Sequence, residues 1–367
     1  MERKIWFVFL FILNVSLPSF AYSPLTWKET QIPIDTPQGP VKLETLLVYP
    51  NDGAKHPIAL ISHGSPRSAS DRPRMSALYY LPIAYEFARR GYAVAVVLRR
   101  GYGTSGGGWA ERFGTCSHPN YIQAAQAASD DLHGAVNYLG TIKQFDTKKI
   151  IAVGFSAGGF ATLAFTAFNP PAGLKAAINF AGGRGSLSND NVCSTDALIS
   201  AFATLGKTSR VPTLWVYAQN DHFFNPELAE KLLTAFTKSG GNATLIHANA
   251  FGKEGHFLFS QAGVPHWTPL VDNFLKTHHL TLVNSLLPLP TSSLKIPNYL
   301  SSSAQKAFAN YTIRSPHKAF AISPKGGFGW RSGQRTKDDA AKNALEICNQ
   351  YSSAQCKLIA IDDQMIH

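Results

Sequence analysis

The chain has 367 residues, of which 45% are hydrophobic and 16% are charged, and its formal net charge is +11 at pH 7. This composition has no low-complexity tract, which excludes a disordered or fibrous protein and allows one large domain plus a small one. The basic residues form no dense run with interleaved aromatic residues, which argues against a nucleic-acid-binding protein. The positive charge agrees with a basic exported protein.

The first 21 residues have the pattern of a secretory signal peptide. Arg3 and Lys4 precede an apolar run over residues 5–17, and small residues at Ser19 and Ala21 predict cleavage after Ala21. An uncleaved membrane anchor is the alternative, although the run is short for a membrane span. We therefore expect a secreted or periplasmic protein.

Between residues 22 and 285, short apolar strands alternate with longer helical segments. The predicted strands cover residues 27–33, 41–49, 56–62, 93–98, 150–153, 176–180, 213–218 and 243–247. The predicted helices cover residues 79–90, 121–139, a segment after residue 159, 226–239 and 266–278. The first two strands form a hairpin at a sheet edge. The alternation that follows them predicts an α/β fold, with a mostly parallel sheet and helices on both faces.

The composition changes to Pro, Ser and Leu without periodicity over residues 286–303, which indicates a linker. Residues 304–367 then have the pattern of a small α+β domain. Its strands are predicted at residues 318–323, 328–330 and 356–362, and its helix at residues 336–351. We therefore expect a large domain over residues 22–285 and a small module, of unassigned role, over residues 304–367.

A strand, a sharp turn and a helix surround Ser156 in the sequence Gly154-Phe155-Ser156-Ala157-Gly158. In this G-x-S-x-G pattern the turn is so tight that the positions two residues either side of the serine must be glycine. A serine hydroxyl is a weak nucleophile unless a positioned base takes its proton. Ser156 therefore needs a histidine, and the histidine needs a carboxylate.

Asp221 and His256 follow Ser156 in the chain order that such a triad requires. Asp221 follows a predicted strand, and His256 is the one histidine between the last predicted strand and the closing helix. A solvated or helix-capping aspartate and an incidental loop histidine are the alternatives. Asp190 and Asp196 also follow the serine, but they lie well beyond the nearest strand end. We therefore predict Ser156 as the nucleophile, His256 as the base and Asp221 as the acid.

Two backbone N–H groups are expected to stabilise the oxyanion of the tetrahedral intermediate. One belongs to Ala157 at a helix N-terminus, and the other to Ser65 in the loop after a buried strand, with Gly64 as the alternative.

Arg100 and Tyr102 are candidates for substrate binding, and a structural role for the arginine in bracing its loop is the alternative. We expect no metal and no cofactor.

The four cysteines are an even number, which in an oxidising compartment suggests two disulfide bonds. The sequence allows three pairings. Only the pairing of Cys116 with Cys193 and of Cys348 with Cys356 keeps each bond within one predicted domain. Free buried thiols at the first two positions are the alternative, and metal binding is disfavoured because no CxxC or His-x-His spacing accompanies them.

Together these motifs resemble the α/β-hydrolase fold and, within it, the branch of dienelactone hydrolases and prolyl-oligopeptidase-like enzymes. The resemblance covers about residues 26–280. It is carried by His63-Gly64-Ser65, Arg100-Gly101-Tyr102-Gly103-Thr104-Ser105-Gly106, the turn around Ser156, Asp221 and Gly255-His256-Phe257. It implies ester or amide hydrolysis by a serine triad. Dienelactone hydrolases proper have a cysteine in place of Ser156, and oligopeptidases carry a β-propeller for which this chain has no room.

Residues 304–367 more weakly resemble a small secreted module in which a Gly-Trp strand precedes a helix and two cysteines follow.

We expect a secreted serine hydrolase that acts on a small-molecule ester, specifically a carboxylesterase for short or medium acyl chains. A serine peptidase or an acyltransferase with the same triad is one alternative. Binding to the cell envelope or to polysaccharide through residues 304–367 is another.

Overall fold

The computed structural model describes residues 23–366, so the predicted signal peptide lies outside the described residues. Its main sheet has eight strands. They are β1 (Leu25–Ile34), β2 (Val41–Pro50), β3 (His56–Ser62), β4 (Ala93–Val97), β5 (Phe145–Phe155), β6 (Leu174–Phe180), β7 (Thr213–Ala218) and β8 (Ala243–Ala248). They lie in the order β1-β2-β4-β3-β5-β6-β7-β8. β2 is antiparallel to both β1 and β4, and all other neighbours are parallel.

Helices cover both faces of this sheet. They are α1 (Leu81–Ala88), α2 (Tyr121–Leu139), α3 (Ala157–Ala167), α4 (Thr195–Gly206), α5 (Pro226–Lys238) and α6 (Val264–Thr277). On β3, Ala59 and Ile61 pack with α1 and α6, whereas Ile58 and Leu60 pack with α2. Because both faces are buried, the strands are apolar without alternation. The predicted α/β fold is confirmed.

Two local features differ from the sequence prediction. β5 begins at Phe145 rather than at residue 150, because Phe145 pairs with His56 ahead of a register shift in the β3–β5 ladder. Helix α4 was not predicted. It begins after Ser194, which has a left-handed backbone (φ 53°) and makes no capping hydrogen bond, so the usual start signal is missing.

The C-terminal residues form a separate antiparallel sheet with its own two small cores. Its strands are β9 (Ala319–Ile322), β10 (Phe328–Arg331), β11 (Lys357–Ile361) and β12 (Gln364–Met365), in the order β10-β9-β11-β12. The helices α7 (Ser302–Thr312) and α8 (Lys337–Gln350) lie on its opposite faces. α7 was also not predicted. Leu294 and Leu300 pack in the core on the α7 side, although the sequence places both in the linker.

Both predicted disulfide bonds are confirmed. Cys116 is bonded to Cys193 across loops of the large domain, with their Cα atoms 4.9 Å apart. Cys348 of α8 is bonded to Cys356 just before β11, with a Cα–Cα distance of 6.0 Å. Such bonds are typical of proteins that fold outside the cytoplasm. Within residues 23–366, no helix has both the length and the apolar character needed to cross a membrane.

Candidate active site

Ser156 lies between β5 and α3 in a sterically constrained turn. Its backbone has φ 55° and ψ −123°, a conformation that non-glycine residues rarely adopt and that persists only where the surrounding structure enforces it. A Cβ atom on Gly158 would lie 2.0 Å from the carbonyl oxygen of Ser62, and one on Gly154 would lie 2.1 Å from that of Gly158. Glycine is therefore required at both positions. The Ser156 N–H donates to the carbonyl of Phe180 at 2.9 Å, which fixes the turn against β6.

Asp221 and His256 form a buried pair, with 3.0 Å between Oδ2 and Nδ1. They are only 1% and 2% exposed. The other carboxylate oxygen of Asp221 accepts the backbone N–H groups of Phe223 and Phe224, at 2.8 and 3.0 Å. Because Nδ1 faces the carboxylate, Nδ1–H is the donor in this pair and Nε2 remains the ring nitrogen available to a serine.

Aromatic side chains and one carboxylate hold the His256 loop in place. The ring of Phe223 stacks on the imidazole at 4.0 Å, and that of Phe155, the neighbour of Ser156, lies 4.9 Å away. Glu254 accepts the backbone N–H of His256 and that of His222, each at 3.0 Å. Glu254 therefore joins the loop that contains His256 to the loop that contains Asp221. The sequence prediction missed this residue, although its position two residues before the histidine was visible.

The predicted oxyanion donors lie together beside Ser156. Ser65 and Ala157 both line a cavity of about 220 Å³ that also contains Ser156. In the described part of the chain, neither N–H donates a hydrogen bond to protein. The Gly64 N–H, by contrast, donates to the hydroxyl of Tyr80 at 3.3 Å. The geometry therefore favours Ser65 over Gly64 as the second donor.

A buried network of charged side chains packs against the loop that contains His63, Gly64 and Ser65. Glu111 is fully buried and pairs with both Arg99 and Arg184, the latter at 2.5 Å. Burial raises the pKa of Glu111, but the charges of Arg99 and Arg184 outweigh that effect and bring it to about 2. Burial, with a smaller contribution from Arg99, lowers the pKa of His63 well below its usual value. His63 is therefore neutral, and its Nε2 accepts the Arg99 N–H at 3.0 Å.

The structure does not bring the predicted substrate-binding residues to this cavity. The Arg100 guanidinium pairs with buried Asp131 at 2.5 Å, which also accepts the Arg100 N–H at 2.8 Å. Tyr102 is fully buried, with its hydroxyl 2.9 Å from Ser65 Oγ and 3.2 Å from Glu111 Oε2. Both side chains brace loops behind the site, because each has a buried polar partner that holds it there.

Three other arginines line the cavity instead. The guanidinium of Arg67 lies 3.6 Å from the ring centroid of Phe223, and that of Arg72 lies 3.6 Å from the ring of Trp109. Arg184 is the third, and no aspartate or glutamate is among the lining residues. Within the described residues, the Arg72 side chain forms no hydrogen bond or ion pair, and its Nε is buried without a partner. The cavity beside Ser156 is therefore positively charged.

A mostly parallel eight-stranded sheet, a serine on a strand-to-helix turn, and an aspartate and a histidine after later strands define the α/β-hydrolase fold. Residues 81–256 match the model of the dienelactone hydrolase family. This part of the chain is therefore similar to the dienelactone hydrolase family, in agreement with the resemblance that the motifs carry. The matched residues include Ser156, Asp221 and His256.

Solved structures with this fold are similar to the chain at low sequence identity. A Pyrococcus furiosus esterase is 16% identical with a TM-score of 0.49, over 68% of this chain and 90% of that protein. Porphyromonas gingivalis dipeptidyl peptidase 4 is 18% identical with a TM-score of 0.46, over 68% of this chain and 35% of its own. A Bacteroides ovatus protein described as a dipeptidyl aminopeptidase IV is 15% identical with a TM-score of 0.52, over 72% and 37%. This last similarity supports the shared fold. A search of curated proteins found no match.

Proposed function

We propose that the protein is a serine hydrolase that cleaves carboxylic esters through an acyl-enzyme intermediate. The observation that carries this proposal is the buried Asp221–His256 pair, whose imidazole lies 4.9 Å from the ring of Phe155, the residue before Ser156 in a strained turn. The strained backbone and the buried polar pair both cost folding free energy, and together they are typical of a site for nucleophilic catalysis. An esterase that accepts short or medium acyl chains agrees with the small cavity of about 220 Å³.

In this mechanism, Ser156 Oγ attacks the ester carbonyl carbon while His256 Nε2 accepts the hydroxyl proton. Asp221 keeps Nδ1–H oriented and stabilises the imidazolium that forms. The N–H groups of Ser65 and Ala157 bind the developing oxyanion, and removal of one such donor typically lowers kcat by about 10²–10³-fold. The imidazolium then protonates the departing alcohol. Water, activated by the same histidine, hydrolyses the acyl-enzyme and restores Ser156.

The positive cavity supports a preference for esters that carry a carboxylate near the scissile bond. Arg72 is the group best suited to bind it, because its guanidinium already lies on Trp109 and lacks a counter-charge within the described residues. Arg67 is held by Ser186 and Asn189, both neutral side chains, at 2.9 and 3.4 Å. A substrate carboxylate would thus meet two cations that no protein carboxylate neutralises.

Labelling with a fluorophosphonate probe, followed by a panel of p-nitrophenyl esters of increasing chain length, tests this proposal. We expect labelling and turnover to disappear in Ser156→Ala and to persist in Ser200→Ala, a matched change on the exposed surface of α4. Wild-type turnover in Ser156→Ala would refute the proposal. Faster cleavage of matched p-nitroanilides than of the esters would instead identify a peptidase, and acyl transfer to an added alcohol in preference to water would identify an acyltransferase.

We further infer that the protein is exported with removal of residues 1–21, since both disulfide bonds require an oxidising compartment. The division into a catalytic domain over residues 22–285 and a module over residues 304–367 rests on their separate cores. N-terminal sequencing of the secreted protein should begin at Tyr22. Limited proteolysis should cut first within residues 286–293, which precede the leucines packed in the C-terminal core.

A further inference from the structure

A cavity of about 950 Å³ lies along the edge of the C-terminal sheet, apart from Ser156. Its volume is near the top of the range of about 300–1,000 Å³ that is typical of sites for small organic ligands. Nine consecutive residues, 325–333, line it. The other walls come from three parts of the chain. Ile347 lies in α8 and Tyr351 directly follows it, while Arg314 and Ser315 follow α7. The large domain contributes Tyr79, Pro82 and Gln261.

The strand at this edge, β10, has backbone groups without a neighbouring strand to pair with. In an antiparallel pair, only every second residue exchanges hydrogen bonds with its neighbour. The bond from the Ser323 N–H to the carbonyl of Gly327, at 2.8 Å, fixes this alternation. Phe328 and Trp330 therefore direct their N–H and C=O groups away from β9. These groups face the side on which a further strand would lie.

The side chains around this edge combine exposed aromatic surface with positive charge. Tyr351 is 75% exposed and Tyr79 is 51% exposed. Arg314, Lys325 and Arg331 contribute three cations, and no aspartate or glutamate lines the cavity. Across residues 23–366, none of these three cations has a carboxylate partner within 4 Å. An occupant with negative charge would be attracted without displacing an existing ion pair.

We propose that β10 binds an extended acidic peptide segment of another protein, which adds a fifth strand to the C-terminal sheet. Strand addition uses backbone hydrogen bonds for affinity and alternate side chains for specificity. Gly326, in the turn before β10, is exposed, and a Cβ there would meet nothing within 4 Å, which leaves this end of the strand open to a partner that binds through its own backbone. Gly329 instead allows close packing of β10 on α8. The cations at both ends of β10 disfavour a second copy of the same edge, which carries the same charge.

The test uses a fluorescent, terminally blocked peptide in which glutamate alternates with valine around a central phenylalanine. Anisotropy titration of the full-length protein should show saturable binding that weakens with salt. A peptide with lysine in place of glutamate should not bind. N-methylation of the amides on one edge of the glutamate peptide should weaken binding by about tenfold or more, since it deletes hydrogen bonds that contribute to affinity. In ¹⁵N spectra, the amide signals of Phe328 and Trp330 should shift on binding.

Two variants give matched controls. Phe328→Pro removes an outward N–H while leaving the β9 ladder intact, and edge strands tolerate proline at such a position. It should weaken peptide binding by about tenfold relative to Phe328→Leu, with the remaining amide signals of the C-terminal sheet and the ester hydrolysis unchanged as evidence of folding. Equal binding of the N-methylated and parent peptides, equal binding of the lysine peptide, or no binding by the glutamate peptide would each overturn the proposal. Binding of polygalacturonate fragments without binding of the glutamate peptide would assign the cavity to acidic saccharides instead.

Discussion

Arg335 of the C-terminal module forms an ion pair with Glu44 of β2 at 3.0 Å. Its guanidinium also donates to the carbonyls of Pro73, at 3.3 Å, and Met75. Glu44 is only 6% exposed, so water screens the pair weakly. Pro73 and Met75 lie one and three residues after Arg72, which lines the cavity beside Ser156. The module therefore supports a loop of the predicted active site across the boundary between the two sheets.

Arg335→Ala should weaken this support. We expect a loss of about 1–3 kcal/mol of stability, because Glu44 would lose its ion-pair partner Arg335 while remaining buried. The KM for an anionic ester should rise, since the Arg72 loop would no longer be fixed, whereas kcat should change little. Thermal unfolding and steady-state kinetics measure the two effects. Arg331→Ala, an exposed arginine of the same module, should leave both unchanged.

Arg72→Ala should reduce the preference for anionic substrates. We expect kcat/KM for p-nitrophenyl hemisuccinate to fall by roughly tenfold, the loss of one charge-assisted hydrogen bond of about 1.5 kcal/mol. Hydrolysis of the neutral p-nitrophenyl butyrate should be nearly unaffected. Arg74→Ala removes a neighbouring arginine that pairs with exposed Asp71, and it serves as the control. Equal losses for both esters would show that Arg72 has only a structural role.

Asp221→Asn should keep the fold but lower kcat by about 10⁴-fold, because an amide no longer stabilises the imidazolium or the required tautomer. Initial rates with p-nitrophenyl acetate measure the loss. Asp190→Asn is the matched control, since Asp190 also pairs with a histidine, the exposed His222, at 2.9 Å. If the Asp190 variant lost activity and the Asp221 variant retained it, the acid would be misassigned.

Glu111→Gln should destabilise the protein by about 3–5 kcal/mol, because it leaves two buried guanidinium groups without a counter-charge. The pKa of Glu111 is about 2 in the folded protein, below its ordinary value of 4.5. Its stabilisation is therefore fully present above pH 4.5 and is lost as the pH falls from 4.5 towards 2. Urea unfolding across this pH range should show a steeper decline for the wild type than for Glu111→Gln. Glu227→Gln, which removes an exposed ion pair with Lys231 on α5, should deviate from the wild-type curve far less, because such surface pairs contribute little stability.

The positions of Ser156, Asp221 and His256 could be predicted from the sequence because each depends on local patterns. A tight turn demands glycines, and the ends of parallel strands meet at one edge of a sheet. The arginines of the cavity depend on contacts that no local pattern encodes. Arg100 lies in a glycine-rich loop and Arg72 in a short 3-10 helix, Ala69–Arg74, and neither local sequence shows where its side chain lies. Arg100 is drawn away by the buried carboxylate of Asp131, whereas Arg72 lies on the ring of Trp109.

The same distinction explains the missed helices. α7 has a good N-cap, since the Ser301 side chain accepts the Ala304 N–H at 3.3 Å. Few of its residues are large and apolar, however, and its buried face becomes evident only when Phe308 and Tyr311 meet Phe320 of β9. Helix α7 is therefore stabilised mainly by packing against β9, which the sequence of the helix alone does not show.

The bond between Cys116 and Cys193 joins residues 77 positions apart, with Ser156 between them and both Asp221 and His256 beyond them. A protease that cuts the chain once anywhere between these cysteines would therefore produce two polypeptides that remain covalently attached. Ser156 would stay tethered to Asp221 and His256, and dissociation of the fragments would require reduction as well as cleavage. This closed loop therefore provides protection against a single proteolytic cut that a linear chain of equal stability would lack.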